Sequence, residues 1–187
     1  LQNPHAVRES LANDIFRISG NRVRVVAPDV GGGFGLKEAA FPEYVLTLVG
    51  AKLTGRPVLW TAERGESFLS DFHARDNYST TTLGLDDKGN FLALKIETVA
   101  NIGAYISPMG LHVPTNNLGG LAGVYRTPHI HARVTGVFSN TPPTSPYRGA
   151  GRPEATYAIE RVIDLAAKHC GFDPVELRRR NLIAPYQ

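Results

Sequence analysis

Cysteine is nearly missing: Cys170 is the only one in 187 residues. A single thiol excludes an internal disulfide, a CxxC zinc site and an iron–sulfur cluster held by this chain alone. Long apolar runs are missing as well, and no stretch approaches the length of a membrane span. Charge of one sign is scarce, with a net charge of +3 and basic residues scattered apart from Arg178, Arg179 and Arg180. A nucleic-acid surface needs a basic stripe interleaved with aromatics, and none is present. The 42% hydrophobic and 20% charged composition is that of an ordinary globular chain, which argues against disorder. The length suffices for one ordinary domain or two small subdomains, with a boundary expected near 60–75. The sequence opens at Leu1 without methionine and runs straight into a helix-like pattern, so an excerpt of a longer polypeptide is expected.

Asn3-Pro4 followed by Val7, Leu11 and Ile15 predicts a helix over about 4–17. Val23 to Ala27 reads as a short buried strand that ends at Pro28-Asp29 and enters Gly31, Gly32, Gly33 and Gly35. A helix is predicted from Glu38 to Leu53, closed by Gly55, and a strand over 57–61. Runs at 78–85 and 91–100 flank Asp-Asp-Lys-Gly-Asn and predict a hairpin. Residues 101–128 read as a long irregular connection, and His129–Phe138 as another strand. After the loop 139–152, Pro153 opens a helix whose Ala155, Ala158, Ile159, Val162, Ile163 and Ala166 share a face, stopped by Gly171. Asp173-Pro174 with Glu176 has the pattern of a capping box before a last helix. The expected class is α+β, mixed sheets with flanking helices.

Two loops carry chemistry, each leading from a strand-like run through glycines toward a helix. Gly31–Gly35 lets a large planar ligand approach the backbone without a Cβ in the way, and amides ahead of the Glu38 helix suit a polar or anionic group. The spacing is neither GxxxxGK[ST] nor GxGxxG, since Leu36 holds the last glycine position. A tight turn is the bland alternative. In the second loop, Pro146–Glu154, Arg148 lies between Tyr147 and Gly149, with Arg152 and Glu154 beyond. An arginine fork on such a loop donates to phosphate or carbonyl oxygens, while a surface Arg152–Glu154 pair is the bland alternative. His129 and His131 share a strand face but lack a third ligand. His73, Arg75 and Asp76 have no nucleophile placed with them. Cys170 reads as packing, and Trp60 as core or ordinary surface.

The order GGFG, Lys-Glu, then PYRGAGRPEA at 146–155 resembles the molybdopterin-binding large subunit of the molybdenum hydroxylases, the xanthine, aldehyde and aerobic carbon monoxide dehydrogenases. Gln2-Asn3 and the tail GFDPVELRRRNLI are similar to further elements of that family, so the resemblance spans the whole chain. It implies that Gln2 contacts the molybdenum centre, that Gly32, Gly33, Phe34 and Gly35 line the pterin, and that Arg148 and Gly149 donate nearby. No residue would bind the metal directly. Glu38, Asn117 and Ala150 match positions that face substrate in relatives; for Glu38, helix N-terminal charge is an equal alternative.

Departures from the family pattern narrow the chemistry. Asn116 or Asn117 stands where purine hydroxylases place an arginine, and Ala150 where they place a phenylalanine, which disfavours xanthine. YRGAGR lacks the cysteine that binds copper in carbon monoxide dehydrogenases, leaving an aldehyde or N-heterocycle as the expected substrate. The resemblance further implies the cytosine dinucleotide form of the cofactor, partners carrying iron–sulfur clusters and FAD, the remainder of the large subunit, and a cytoplasmic location. The family's general base, a glutamate in a late glycine-rich motif, is expected beyond Gln187, so the isolated chain should be inactive and could self-associate through surface the remainder covers. A non-enzymatic cofactor-binding or assembly module and a nucleotide-binding domain are the rival expectations.

Overall fold

The computed structural model describes residues 1–185. The chain divides into two compact units, Leu1–Phe72 and one beginning at His73.

In the first unit, α1 (Pro4–Glu9) is capped by the Asn3 side chain, which accepts from the Ala6 N–H at 3.1 Å. It continues as a π-helical turn over Ser10–Ile15, so the predicted helix exists but widens at its end. Val23–Ala27 joins no strand, a correction to the sequence reading, and neither does 57–61. A β-branched run becomes a strand only where a partner supplies the ladder. The next helix, α2 (Pro42–Thr54), starts four residues later than predicted. Pro42 occupies its first turn and holds Phe41 extended at φ −83°, ψ 151°, which keeps 38–41 out of the helix. Gly55 ends it in the left-handed conformation. None of its thirteen residues is buried, although Leu46, Leu48, Val49 and Leu53 are apolar. The following α3 (Arg64–Ser70) carries a reciprocal capping box between Glu63 and Glu66.

The second unit holds a three-stranded mixed sheet. β1 (Asn77–Leu85) pairs antiparallel with β2 (Phe91–Gly103), which pairs parallel with β3 (His129–Phe138). The hairpin turn forms where predicted, its Asp86 carboxylate accepting from the Lys88 and Asn90 amides. The 101–128 connection is less irregular than expected, containing α4 (His112–Asn116) and a 3₁₀ turn over Asn117–Gly120. α5 (Arg152–Cys170) lays Ala155, Ile159, Ile163 and Ala167 against Leu94 and Ile96 of β2, together with Leu121, Tyr125 and Leu177. That face repeats at four-residue spacing, as helical geometry requires. Cys170 at its end is exposed, not packed. α6 (Pro174–Asn181) is capped by Asp173, but Glu176 turns to Arg179 and does not close the box. Buried Asn181 ties this helix to the hairpin, donating to the Gly89 carbonyl at 2.9 Å and accepting from the Phe91 N–H at 2.7 Å.

The Tyr125 hydroxyl donates to Glu160 at 2.7 Å at the edge of this core, and Arg178 binds the other carboxylate oxygen at 2.8 Å. Burial, reinforced by the Glu160 hydrogen bond, pushes the phenol up from 10.0 to about 12. A folded value above the unfolded one stabilises fully below pH 10 and loses that contribution as pH rises toward 12. Tyr125→Phe should lower stability at neutral pH by about 1–2 kcal/mol. Urea midpoints across alkaline pH should show the wild-type advantage over the variant shrinking; a constant gap would refute the linkage.

Candidate functional site

In the first unit the glycine loop folds back on the segment before α1. The Gly35 N–H donates to Gln2 Oε1 at 2.7 Å, and the Gln2 N–H donates to the Lys37 carbonyl at 2.9 Å. Two segments thirty-three residues apart are thereby joined. Because the Gly35 amide is a donor, it must meet the oxygen end of the Gln2 side chain, which leaves that amide's NH₂ as its remaining polar group. A Cβ on Gly33 would lie 2.6 Å from the Gln2 Cβ and closer still to Oε1, so only glycine leaves room for this side chain. Gly32 at φ +125° and Gly35 at φ +96° need their conformational freedom. Phe34, at φ +54°, folds its ring over Gly32. The loop ends in a single turn, the Glu38 N–H reaching the Gly35 carbonyl at 3.4 Å. Glu38 is half-buried there and is not at a helix N-terminus, which removes the helix-dipole reading.

In the second unit, a parallel bridge between His73 and Thr144 sets residues 73–75 alongside 143–148. The His73 N–H donates to the Pro143 carbonyl at 3.0 Å and Ser145 returns a bond to His73 at 2.8 Å. The Arg75 guanidinium, two residues on, donates to the Arg148 carbonyl, lies 4.9 Å from the Tyr147 ring centroid, and stands 3.7 Å from Glu154. The Arg152–Glu154 surface pair, the bland alternative for this loop, does not form among the described residues; Arg152 turns to the Gly149 carbonyl at 3.4 Å. Asn116 donates to the Ala150 carbonyl at 2.9 Å. Asn117 is buried, its backbone nitrogen 2.9 Å from where a Gly151 Cβ would stand. Arg148, Gly149, Ala150, Asn116 and Asn117 thus form one cluster, with the Arg148 side chain exposed. Sequence reasoning named Arg75 only beside His73 and Asp76, as a set without a nucleophile, and missed its tie to the second loop: seventy-three residues separate it from Arg148.

His129 and His131 are exposed on β3, and no group of three or more metal-binding side chains occurs among the described residues. The cysteine-free loop sits at one end of α5 and Cys170 at the other, about 27 Å away by helical rise.

A pterin-type cofactor carrying phosphate and oxygen groups asks for donors and bare backbone. In the first unit the Gln2 NH₂ is a donor and Gly31 is bare, since a Cβ there would meet nothing within 4 Å, while Gln2 fills the space over Gly33; in the second unit the exposed Arg148 guanidinium is a donor. Taken by itself, each loop fits such a group. A small mixed sheet flanked by helices, with two glycine-rich loops that expose backbone and donors, is the architecture of a cofactor-binding segment. The chain belongs to the molybdopterin cofactor-binding domain family, which it matches over residues 1–182.

It is 39% identical over 161 residues to the gamma subunit of the 6-hydroxypseudooxynicotine dehydrogenase complex of Paenarthrobacter nicotinovorans, covering 86% of this chain and 20% of that protein. It is 36% identical over 192 residues to the carbon monoxide dehydrogenase large chain of Hydrogenophaga pseudoflava, covering 100% of this chain and 23% of that one. The crystal structure of quinoline 2-oxidoreductase from Pseudomonas putida 86 superimposes with a TM-score of 0.92 at 35% identity, over 98% of this chain and 24% of that chain. The chain spans between 20% and 24% of the length of these relatives. No helix of the described residues is long and apolar enough to cross a membrane.

Proposed function

We propose that this chain is the cofactor-contacting piece of the large subunit of a molybdenum oxidoreductase that hydroxylates an N-heterocycle or an aldehyde. The observation that carries the reading is the Gln2–Gly35 hydrogen bond, which turns the Gln2 NH₂ outward as a donor for an oxygen ligand. The bound molybdenum–molybdopterin group supplies two-electron oxidation of a substrate carbon. Gly32, Gly33, Phe34 and Gly35 offer backbone to the pterin, and Arg148 and Gly149 offer donors to its oxygens. Glu38, Asn117 and Ala150 face the substrate. Ala150 contributes only a methyl group where an aromatic would stack, which favours substrates other than purines.

Copper-assisted carbon monoxide oxidation needs a thiolate in the second loop, and YRGAGR has none. The cofactor carries a cytosine dinucleotide, electrons pass to partners bearing iron–sulfur clusters and FAD, and the assembly is cytoplasmic. The remainder of the subunit supplies the general base and covers the apolar, unburied α2. Molybdenum per large subunit tests this reading, measured on the complete polypeptide expressed with its partners in a host that makes the cofactor. Near-stoichiometric metal is expected. A metal-free subunit from a host with verified cofactor supply would move the assignment to a non-enzymatic module.

A further inference from the structure

We propose that Arg75 is the positioning residue of the second loop, holding the Tyr147–Arg152 backbone in the conformation that presents Arg148, Gly149 and Ala150. Three contacts converge on one guanidinium: the Arg148 carbonyl, the Tyr147 ring face at 4.9 Å and the Glu154 carboxylate at 3.7 Å. Each uses a different property of the side chain, namely a directed N–H, a planar delocalised cation and a full charge. Arginine alone combines them.

Within the loop, the Ala150 N–H reaches the Tyr147 carbonyl at 2.7 Å, and the Arg152 N–H and guanidinium reach the Gly149 carbonyl at 3.1 and 3.4 Å, all of them local. From outside, Asn116 reaches the Ala150 carbonyl at 2.9 Å and Arg75 reaches the Arg148 carbonyl. Asn116 and Arg75 therefore pin opposite ends of the segment that carries Arg148, Gly149 and Ala150. That segment is strained without glycine's freedom at one position, since Ala150 itself sits at φ +46°. Such a conformation persists only when surrounding contacts over-determine it.

Glu154 adds a second reason for arginine at 75. Its side chain is 15% exposed, and neither carboxylate oxygen has a hydrogen bond among the described residues. At 3.7 Å the Arg75 contact is an ion pair and not a hydrogen bond, so charge compensation is what Arg75 supplies to it. Arg75 links the start of α5, through Glu154, to the loop that precedes it. The consequence for activity rests on the cofactor-loop assignment proposed above; the loop geometry itself does not.

The test uses the complete polypeptide with its partners and three variants: Arg75→Gln, Arg75→Lys and the double variant Arg75→Gln/Glu154→Gln. The double variant removes the uncompensated carboxylate that could unfold the single one. Hydrogen exchange by mass spectrometry is read on the peptide spanning 147–152, alongside melting temperature, molybdenum content and kcat. Expected is exchange about tenfold faster, confined to that peptide in all three variants. The melting temperature of the double variant should be unmoved and its molybdenum retained, with kcat lowered.

Unchanged exchange overturns the proposal, as does full rescue by Arg75→Lys, which would reduce the role to charge. A melting collapse in every variant, or loosened exchange with undiminished kcat in a molybdenum-loaded enzyme, also overturns it. If the wild-type protein holds no molybdenum, the cofactor assignment fails, while the exchange result still decides whether Arg75 holds the loop.

Discussion

A Gly35→Val variant of the complete subunit should contain less than about a tenth of the wild-type molybdenum. Gly35 sits at φ +96°, where a β-branched residue is strongly disfavoured. Relief of that strain requires the turn to flip, and flipping redirects the Gly35 N–H that holds Gln2 at 2.7 Å. One substitution thus removes two elements at once, the bare backbone and the oriented Gln2 donor. The rest of the chain should tolerate it, because the sheet and α5 of the second unit form their own core. Far-ultraviolet circular dichroism and exchange protection of α5 should match wild type. Gly33→Ala makes a useful comparison, since its methyl would press on the Gln2 side chain, with Gln2 Cβ only 2.6 Å away, while Gly33 needs no positive φ. Displacing Gln2 alone should lower the metal content less than the valine does. A normal molybdenum content in Gly35→Val would remove the loop from the cofactor site.

Which elements were legible in the sequence follows from which are governed by local chemistry. The α5 face was readable because Ala155, Ile159 and Ile163 repeat at four-residue spacing and Gly171 ends the helix at φ +76°. The hairpin was readable because Asp86 to Asn90 satisfies its own backbone. Val23–Ala27 was misread, since its apolar pattern states that it can be a strand but not whether a partner is present. The start of α2 was misread because Pro42 was placed inside a helix, whereas it opens one.

The two loops of the candidate site were legible for the same local reason, their glycines. Gln2 entered only through family resemblance, and the structure supplies the physical link, a hydrogen bond across thirty-three residues. The role of Arg75 at the second loop was invisible because its partners there, Arg148, Tyr147 and Glu154, are set by the His73–Thr144 bridge and not by spacing along the chain. Long-range backbone pairing is what brought those side chains together, and no window of sequence contains it.

Gly151 offers the sharpest stability test of the second unit, because two glycines there share a strained conformation but not a neighbourhood. Gly151 lies at φ +100° and Gly171 at φ +76°, at opposite ends of α5. A Cβ on Gly171 would meet nothing within 4 Å. One on Gly151 would drive into the Val113 carbonyl oxygen and stand 2.9 Å from the Asn117 nitrogen, backbone atoms of α4 and the turn after it. Gly171→Ala should therefore destabilise by about 1 kcal/mol, the backbone term alone. Gly151→Ala should destabilise by about 2–4 kcal/mol, because overpacking adds about 1–3 kcal/mol to that term and backbone cannot step aside like a side-chain tip. Urea denaturation of the two variants side by side measures the difference. The loss at Gly151 should be accompanied by weakening of the Asn116–Ala150 bond, since α4 and the loop must separate to admit the methyl. Equal losses at the two glycines would mean that the loop and α4 are not in the close approach on which the Asn116, Asn117 and Ala150 cluster depends.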